Sequence, residues 1–282
     1  MHAGRFAHAA AAFCPDDGAV YVTENNFAFA SGFYRYVPPS DPRAVGQVED
    51  GGRLEALKVV GVVEAHLEGN QVNGATYAVE WVEIEEPFPG PDGLFPMNGD
   101  VPSVTNDLAS VFVGLQGRAL GAAHFSRIEG AVYARGEIYF TSMQGGGPAE
   151  TVVQDDATGY GNGTGQVWSY NARTSTLTCR YQAPSGATLD LPDHITAKSG
   201  RGAILVCEDG PAPNHIRGLT RDAQLFDIAL NRLTRNADGA PRFAEGFAGA
   251  TFAPGTDTLY VNIEGSAGIS FTIWGPWGRI GV

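Results

Sequence analysis

Short apolar strands alternate along the chain with polar turns that contain glycine, and one such pattern occurs four times. Each copy has an apolar strand, a turn and a second strand of the V-Y-V-T type, and the copies span residues 8–25, 129–142, 192–210 and 248–265. Apolar runs of this length around a tight polar turn predict β-hairpins. The run from Ala9 to Ala12 would also suit a helix, but the PDDG turn that follows it favours a strand.

Further strands are predicted between these hairpins, so that three or four strands accompany each repeat. They fall at residues 32–38, 54–61, 77–84, 165–171, 176–182, 224–231 and 268–276. Four-stranded units repeated around an axis are typical of a β-propeller. A β-sandwich is the main alternative, but it does not explain self-similar units. The sequence therefore predicts an all-β chain with one β-propeller domain over residues 1–282, interrupted by a long loop excursion at 85–110.

Acidic residues recur at the open end of the predicted hairpins, where the start of strand one meets the end of strand two. The first repeat has an acid at its exit but Ala9 at its entrance. The acids are Glu24 in the first copy, Glu129 in the second, Asp193, Glu208 and Asp209 in the third, and Glu264 in the fourth. Repeats arranged around one axis would bring these carboxylates to one mouth, and such a group of oxygen ligands suits a hard cation.

Composition narrows the function classes. The net charge of −13 argues against a nucleic-acid partner, which would require clustered Lys and Arg. No apolar run is long enough to cross a bilayer, and no signal peptide precedes the first predicted strand. The three cysteines have no metal-ligand spacing and are predicted to be small core residues. The histidines show no H-x-x-x-H or H-E-x-x-H spacing, which favours structural or surface roles.

An ordered set of motifs resembles the PhoX-type alkaline phosphatases and covers nearly the whole chain. The matching strings are GRFAHAAAAF and PDDGAVYVTE within 4–24, SGFYRYVP at 31–38, VEWVEI at 79–84, FSRIEGAVYARGEIYFTSMQGG at 125–146, GQVWSYN at 165–171, LPDHITAKSGRGAILVCEDG at 191–210, NHIRGLT at 214–220, FAGATFAPGTDTLYVNIEG at 247–265 and TIWGPW at 272–277. The resemblance implies a six-bladed propeller, of which this chain covers an incomplete set of blades.

The resemblance also implies a metal-dependent phosphomonoesterase with calcium and iron held by carboxylates and one cysteine. Arg127 would bind the phosphate of a small phosphate ester and act in catalysis. The metal ligands would be Glu24, Glu129, Asp193, Glu208 and Asp209. The family is exported, so a periplasmic or extracellular location is expected.

Two departures from the family pattern favour an alternative, a non-catalytic propeller that binds calcium or a partner. The family glutamate expected to bind iron is replaced by Ala9. The chain corresponds to the C-terminal part of the family domain, and the iron-binding cysteine has no counterpart by motif. A chain without the N-terminal segment would leave apolar blade faces uncovered, so it is expected to be marginally stable or to self-associate unless the missing part is supplied from elsewhere.

Structural interpretations of the same residues stay open. Arg127 and Glu129 are two residues apart, so on a strand they face the same side, which also suits an exposed ion pair. The Glu208-Asp209-Gly210 run is equally typical of a turn after a strand. Glu24, followed by two asparagines, is also compatible with a loop.

Overall fold

The predicted hairpins and most of the predicted strands are present in the computed structural model. The structure describes residues 2–27, 29–39, 51–88, 97–98, 101–102, 111–147, 154–155, 159–198, 202–211, 213–235, 238–265 and 268–282. Most of the predicted excursion at 85–110 lies outside these residues. Within them, no helix combines the length and the apolar character that a membrane crossing requires.

Four antiparallel groups of strands, here called blades, follow one another along the chain, and the first two belong to one nine-stranded sheet. Blade 1 contains β1 (His8–Phe13), β2 (Val20–Glu24), β3 (Phe33–Val37) and β4 (Arg53–Val59). Between blades 1 and 2 come β5 (Thr76–Ile84), β6 (Met97–Asn98), β7 (Val101–Pro102) and helix α1 (Phe112–Ala119). Blade 2 contains β8 (Ile128–Ala134), β9 (Glu137–Ser142), β12 (Gln166–Asn171) and β13 (Thr176–Gln182), with the short strands β10 (Gln154–Asp155) and β11 (Gly159–Tyr160) inserted.

Blades 3 and 4 continue the same plan. Blade 3 contains β14 (Pro192–Ala197), β15 (Ile204–Glu208), β16 (His215–Leu219) and β17 (Leu225–Leu230). Blade 4 contains β18 (Phe247–Phe252), β19 (Thr258–Ile263) and β20 (Ile269–Trp274), followed by a short 3-10 helix at Trp277–Arg279. Strand β5 pairs with both β4 and β13, so it joins the outer edges of blades 1 and 2.

The first strand of each blade lies innermost. These inner strands contact one another in the order β1, β8, β14 and β18. The four blades therefore lie side by side along one row of inner strands. This is a propeller arrangement, as the repeat predicted, and differs from the two facing sheets of a sandwich.

Hydrophobic cores fill the spaces between neighbouring blades. The core between blades 1 and 2 is aromatic and includes Tyr21, Phe33, Phe140 and Trp168. A second core contains residues of blades 2 and 3, and a third contains residues of blades 3 and 4. Along β15, successive residues alternate between the second and third cores, because side chains on a strand point to opposite faces. Blade 3 is therefore buried on both faces, whereas blade 4 has one exposed face, which carries Tyr260 and Trp274.

Helix α1 and strand β16 were not predicted from the sequence. Helix α1 has no side-chain cap and contains Gly114 and Gly117, which lower its intrinsic helix propensity. It forms because Val113 packs into a core with Val22, Tyr34 and Leu54 on the outer face of blade 1. Tertiary packing, and not local sequence, determines this helix.

Candidate metal and phosphate site

One backbone hydrogen bond closes the open end of each repeated hairpin and defines equivalent positions in the four blades. In each case an amide after the second strand donates to a carbonyl before or at the start of the first strand. The pairs are Asn25 to Ala7, Met143 to Arg127, Asp209 to Leu191 and Glu264 to Gly246. Two residues beyond these acceptors lie Ala9, Glu129, Asp193 and Ala248. Acids therefore stand at this inner position in blades 2 and 3, and alanine stands there in blades 1 and 4.

A register shift occurs at this place in all four hairpins. The pairing slips between His8 and Ala11, between Ile128 and Ala131, between Pro192 and Ile195, and between Ala248 and Thr251. A bulge adds a residue to one strand and redirects the side chains beside it. Each repeat thus has a bulge at the same place, and in blades 2 and 3 it changes the direction of the Glu129 and Asp193 side chains.

Hydroxyl groups hold the acid-bearing segments between blades. The Oγ1 of Thr23 in blade 1 donates to the carbonyl of Glu129 in blade 2 at 2.5 Å. Equivalently, the Oγ1 of Thr141 in blade 2 donates to the carbonyl of Asp193 in blade 3 at 2.6 Å. The threonine of the V-Y-V-T pattern therefore fixes the backbone of an acidic residue in the next blade.

Gly130 lets the two acidic segments approach closely. A Cβ atom at this position would lie 2.7 Å from the amide nitrogen of Ile195 and 2.8 Å from the carbonyl oxygen of Asp193. Such contacts are shorter than atoms tolerate, so only glycine permits this spacing of β8 and β14. Glu129 and Asp193 are neighbours for this reason.

Four carboxylates from three blades form what we call the acid cluster, namely Glu129, Asp193, Asp209 and Glu264. Oxygen atoms of Asp193 and Glu264 and a nitrogen of His194 all lie within 4.8 Å of one another. Asp209 interacts electrostatically with Asp193 and Glu264, and Glu129 interacts with Asp193. The structure therefore brings together three of the predicted ligands and adds Glu264.

Burial and mutual repulsion raise the pKa values of the cluster. Burial, and then the nearby Asp193, raise the pKa of Glu129 to about 7. Burial raises the pKa of Asp209 to about 6, with Asp193 and Glu264 acting in the same direction. His194 donates to or accepts from Asp193 at 3.0 Å, and this contact raises the pKa of the imidazole. Carboxylates crowded in this way favour either protonation or a bound cation.

Arg127 lies beside the cluster and is held in place by neutral groups. Its Nε donates to Oδ1 of Asn25 and its Nη1 donates to Oε1 of Gln144, both at 3.1 Å. The guanidinium also lies over the ring of Phe27, 5.0 Å from the centroid. Its Nη2 is 3.9 Å from Glu129. Because a guanidinium has five N–H groups, donors remain for an anion.

The backbone at Arg127 is left-handed, with φ of 44°, and this feature belongs to the repeat. Leu191 occupies the equivalent position in blade 3 with φ of 46°. A non-glycine residue in this region carries strain, which the surrounding hydrogen bonds must offset. The side chain, and not the backbone conformation, distinguishes Arg127 as a candidate anion-binding residue.

Two of the predicted ligands lie in other surroundings. Glu24 is buried and accepts hydrogen bonds from the amide of Gly32 and the hydroxyl of Tyr34, at 2.7 and 2.9 Å. Burial raises the pKa of Glu24 to about 7. Glu208 is also buried, and it accepts from Arg217 Nε at 2.8 Å and from the amide of His215 at 2.8 Å. Neither carboxylate joins the acid cluster.

Sequence reasoning assigned no site role to three side chains that support the cluster, Asn25, Gln144 and His194. Asn25 donates from Nδ2 to Oε1 of Glu129 and accepts from Arg127, so it connects the acid and the arginine. It stands at the repeat position of Asp209 and Glu264, and this equivalence was visible in the sequence. Gln144 and His194 gave no such signal, because the contact of Gln144 with Arg127 and the approach of His194 to Glu264 depend on the folded arrangement of the chain.

The donor set fits calcium and does not supply a thiolate for iron. Calcium takes six to eight oxygen ligands, which carboxylates on separate blades can provide together with water. All three cysteines, Cys14, Cys179 and Cys207, are buried, and each lies in a hydrophobic core as predicted. Burial raises the pKa of each thiol, which keeps them neutral.

Fold and site together define a propeller protein with a cluster of carboxylates and an arginine beside it. The sequence matches the family model described as alkaline phosphatase PhoX over residues 1–266. The chain therefore belongs to the PhoX alkaline phosphatase family, which confirms the resemblance seen in the sequence. A search of curated proteins finds no match.

A solved structure shares the fold. It is that of Pseudomonas fluorescens PhoX in complex with vanadate, a transition state analogue, with a TM-score of 0.61 and 16% sequence identity. The similarity covers 93% of this chain and 49% of that one, so the chain spans about half the length of that structure. At this identity the likeness shows the fold alone, and it confirms the predicted all-β propeller class.

Proposed function

We propose that the chain forms a calcium-dependent site for hydrolysis of small phosphate monoesters, with the acid cluster as the cation ligands and Arg127 as the phosphate-binding residue. Family membership supports a phosphatase-type function. The observation that carries the proposal is that Arg127 interacts electrostatically with Glu129 of its own blade and with Asp209 of the next blade.

In this proposal the acid cluster holds the cation and Arg127 orients the ester. Glu129, Asp193, Asp209 and Glu264 supply anionic oxygens, which bind calcium in their ionised form. Bound calcium would offset the negative charge that phosphoryl transfer develops. The free N–H groups of Arg127 bind two phosphate oxygens, a geometry that lysine cannot reproduce. Asn25 and Gln144 keep the guanidinium in place before substrate arrives.

The proposed mechanism includes no role for iron. The family resemblance predicts it, but the inner position of blade 1 carries Ala9 and the cysteines lie in the cores. Glu24 and Glu208 were predicted as further metal ligands, and in the structure their oxygens are engaged by protein donors. The proposal therefore rests on calcium and the four carboxylates. Export to the periplasm or beyond is proposed from the family alone.

Hydrolysis of p-nitrophenyl phosphate by the purified chain tests the proposal directly. We expect calcium-dependent turnover that falls by at least about a hundredfold in Glu129→Gln and in Arg127→Lys, since single groups of this kind contribute several kcal/mol. Glu137→Gln, at the opposite end of the same hairpin, is the matched control and should retain activity. Turnover that is equal in Glu129→Gln and in the parent chain contradicts the proposal.

Ala9 favours a second candidate function, a calcium-binding propeller without turnover. In blade 1 the position equivalent to Glu129 and Asp193 has no carboxylate, so this blade contributes no ligand from it. This candidate predicts stoichiometric calcium binding and no phosphatase activity in the parent chain. Ala9→Glu then discriminates further, because a gain of turnover in this variant would show that the missing acid limits catalysis.

A further inference from the structure

A second group of metal-ligand side chains lies outside the acid cluster, where blade 1 meets the segment that leads into blade 2. His66 and Glu68 belong to the connection between β4 and β5, and His124 follows helix α1. His66 and His124 form an isolated parallel β-bridge, and the amides of Leu67 and Glu68 both donate to the carbonyl of His124. The backbone thus fixes the three side chains side by side.

The three side chains converge on one point. One ligand atom from each of His66, Glu68 and His124 lies within 4.8 Å of the others. His66 Nδ1 is 2.7 Å from Glu68 Oε1, and the two imidazole rings meet edge to face with centroids 4.9 Å apart. Two imidazoles and a carboxylate form a ligand set that zinc and other divalent transition metals prefer.

Unsatisfied buried atoms give independent support for a ligand at this point. Glu68 and His124 are almost fully buried, with 1% and 2% of their side chains exposed. Among the residues that the structure describes, Glu68 Oε2 and His124 Nε2 nevertheless find no hydrogen-bond partner. Leaving such atoms unpaired costs about 1–3 kcal/mol each, so buried polar groups in native proteins normally have a partner. A metal ion between them would satisfy both.

Glu64 lies next to the group without belonging to it. Its Oε2 is 3.6 Å from Nε2 of His124, which is too long for a hydrogen bond, and the three ligand atoms that lie within 4.8 Å of one another come from His66, Glu68 and His124. Glu64 and Glu68 contribute negative charge that favours a divalent ion, whereas Arg118 acts on Glu68 and His124 as a nearby positive charge.

We infer that His66, Glu68 and His124 form a binding site for a divalent transition metal of the zinc type. The site is separate from the acid cluster, whose oxygen ligands suit calcium. Its imidazoles are unsuited to calcium, which takes oxygen ligands. A bound ion would tie the β4–β5 connection to the segment before β8. The inference does not depend on the phosphatase proposal.

Cobalt(II) titration of the chelator-stripped, calcium-saturated chain tests the inference, with visible absorption as the readout and zinc as competitor. We expect one equivalent of cobalt to bind, with an absorption spectrum that zinc displaces. Glu68→Gln and His66→Ala should each weaken binding by at least about tenfold, and an exposed control, His2→Ala, should not. His66 is largely exposed, so its removal leaves the fold intact.

Two results would overturn the inference. One is a folded parent chain, checked by circular dichroism, that binds no cobalt or zinc. The other is equal cobalt affinity in the parent, in Glu68→Gln and in His66→Ala. An additional arm separates the two sites, because the double variant Glu129→Gln/Asp193→Asn should keep the cobalt spectrum of the parent. Loss of the spectrum in that variant would place the ion in the acid cluster instead and contradict the assignment.

Discussion

At the residue scale, neighbouring acids have different roles because adjacent side chains on a strand point to opposite faces. Asp209 interacts with the acid cluster, whereas Glu208 is turned toward Arg217 and His215 within blade 3. In blade 1, Asn25 reaches Glu129 while Glu24 is buried against Tyr34. Glu208 and Asp209 are adjacent, and the local sequence does not indicate which of the two joins the acid cluster.

Substituting Glu208 and Asp209 separately should show that Glu208 contributes to stability and Asp209 to calcium binding. Asp209→Asn removes a charge from the cluster, and we expect calcium affinity to fall with little loss of stability. Glu208→Gln removes the buried partner of Arg217 and leaves it only the exposed Asp227, so we expect the free energy of unfolding to fall by about 3 kcal/mol. Calorimetric calcium titration and urea denaturation measure the two effects. Equal calcium affinity in Asp209→Asn and in the parent would remove Asp209 from the ligand set.

The pKa values of Glu129 and Asp209 predict that, as pH rises, the stability of the calcium-free chain falls while its affinity for calcium increases. Their folded-state pKa values of about 7 and 6 exceed the ordinary 4.5 and 3.8. The metal-free folded state therefore binds more protons than the unfolded state at intermediate pH, so the free energy of unfolding falls as pH rises from about 4 to 7. Calcium binds the ionised form, so its affinity rises over the same interval.

Urea denaturation at several pH values, in chelator and in excess calcium, checks these trends. The decrease of stability with pH should be seen in chelator and should diminish when calcium is present. Glu129→Gln should reduce the slope of the stability curve measured in chelator, and the slope that remains should come from Asp209 and from Glu24, whose pKa is also raised to about 7. A parent chain whose stability rises with pH in chelator across pH 4–7 would contradict the assigned environment of the cluster.

At the element scale, the hairpins were predictable and the direction of their side chains was not. Alternating apolar residues and the PDDG turn predict β1 and β2 correctly, and the sequence indicates the equivalent strands in the other blades. The register shift after His8, Ile128, Pro192 and Ala248 has no comparable sequence signal, and it changes which face each later residue occupies. The set of side chains that faces the site therefore could not be derived from the sequence.

Gly130→Ala tests whether the spacing of β8 and β14 builds the acid cluster. The added methyl group would clash with the backbone of Asp193 and Ile195, so we expect a loss of about 1–3 kcal/mol in stability and weaker calcium binding. Gly278→Ala is the control, because a Cβ there meets no atom within 4 Å. Thermal unfolding and calcium titration provide the readouts. An unperturbed calcium affinity would show that this close approach is dispensable.

At the scale of the whole molecule, the acid cluster combines side chains of three blades, which also meet through apolar cores and a threonine hydrogen bond. Glu129 comes from blade 2, Asp193 and Asp209 from blade 3, and Glu264 from blade 4. The repeated acids predicted this convergence from the sequence. The sequence could not show that Glu24 would be excluded, since its position depends on packing beneath α1 and against Tyr34.

Calcium should therefore stabilise the chain as a whole. A ligand that binds only the folded state adds about 2.7 kcal/mol at a concentration a hundred times its Kd. We expect the melting temperature to rise with calcium concentration in the parent chain and to stay nearly constant in the double variant Glu129→Gln/Asp193→Asn. Differential scanning calorimetry measures both. A calcium-dependent rise of equal size in the double variant would locate the stabilising ion elsewhere.

The central claim is that carboxylates from three blades and Arg127 form one calcium and phosphate site. Calorimetric titration of calcium in the presence and absence of phenylphosphonate, a non-hydrolysable ester analogue, tests it most directly. Because the two ligands would share one site, each should tighten the binding of the other. This coupling should disappear in Arg127→Lys while calcium binding remains. Calcium and phenylphosphonate that bind independently, or coupling that persists in Arg127→Lys, would contradict the account.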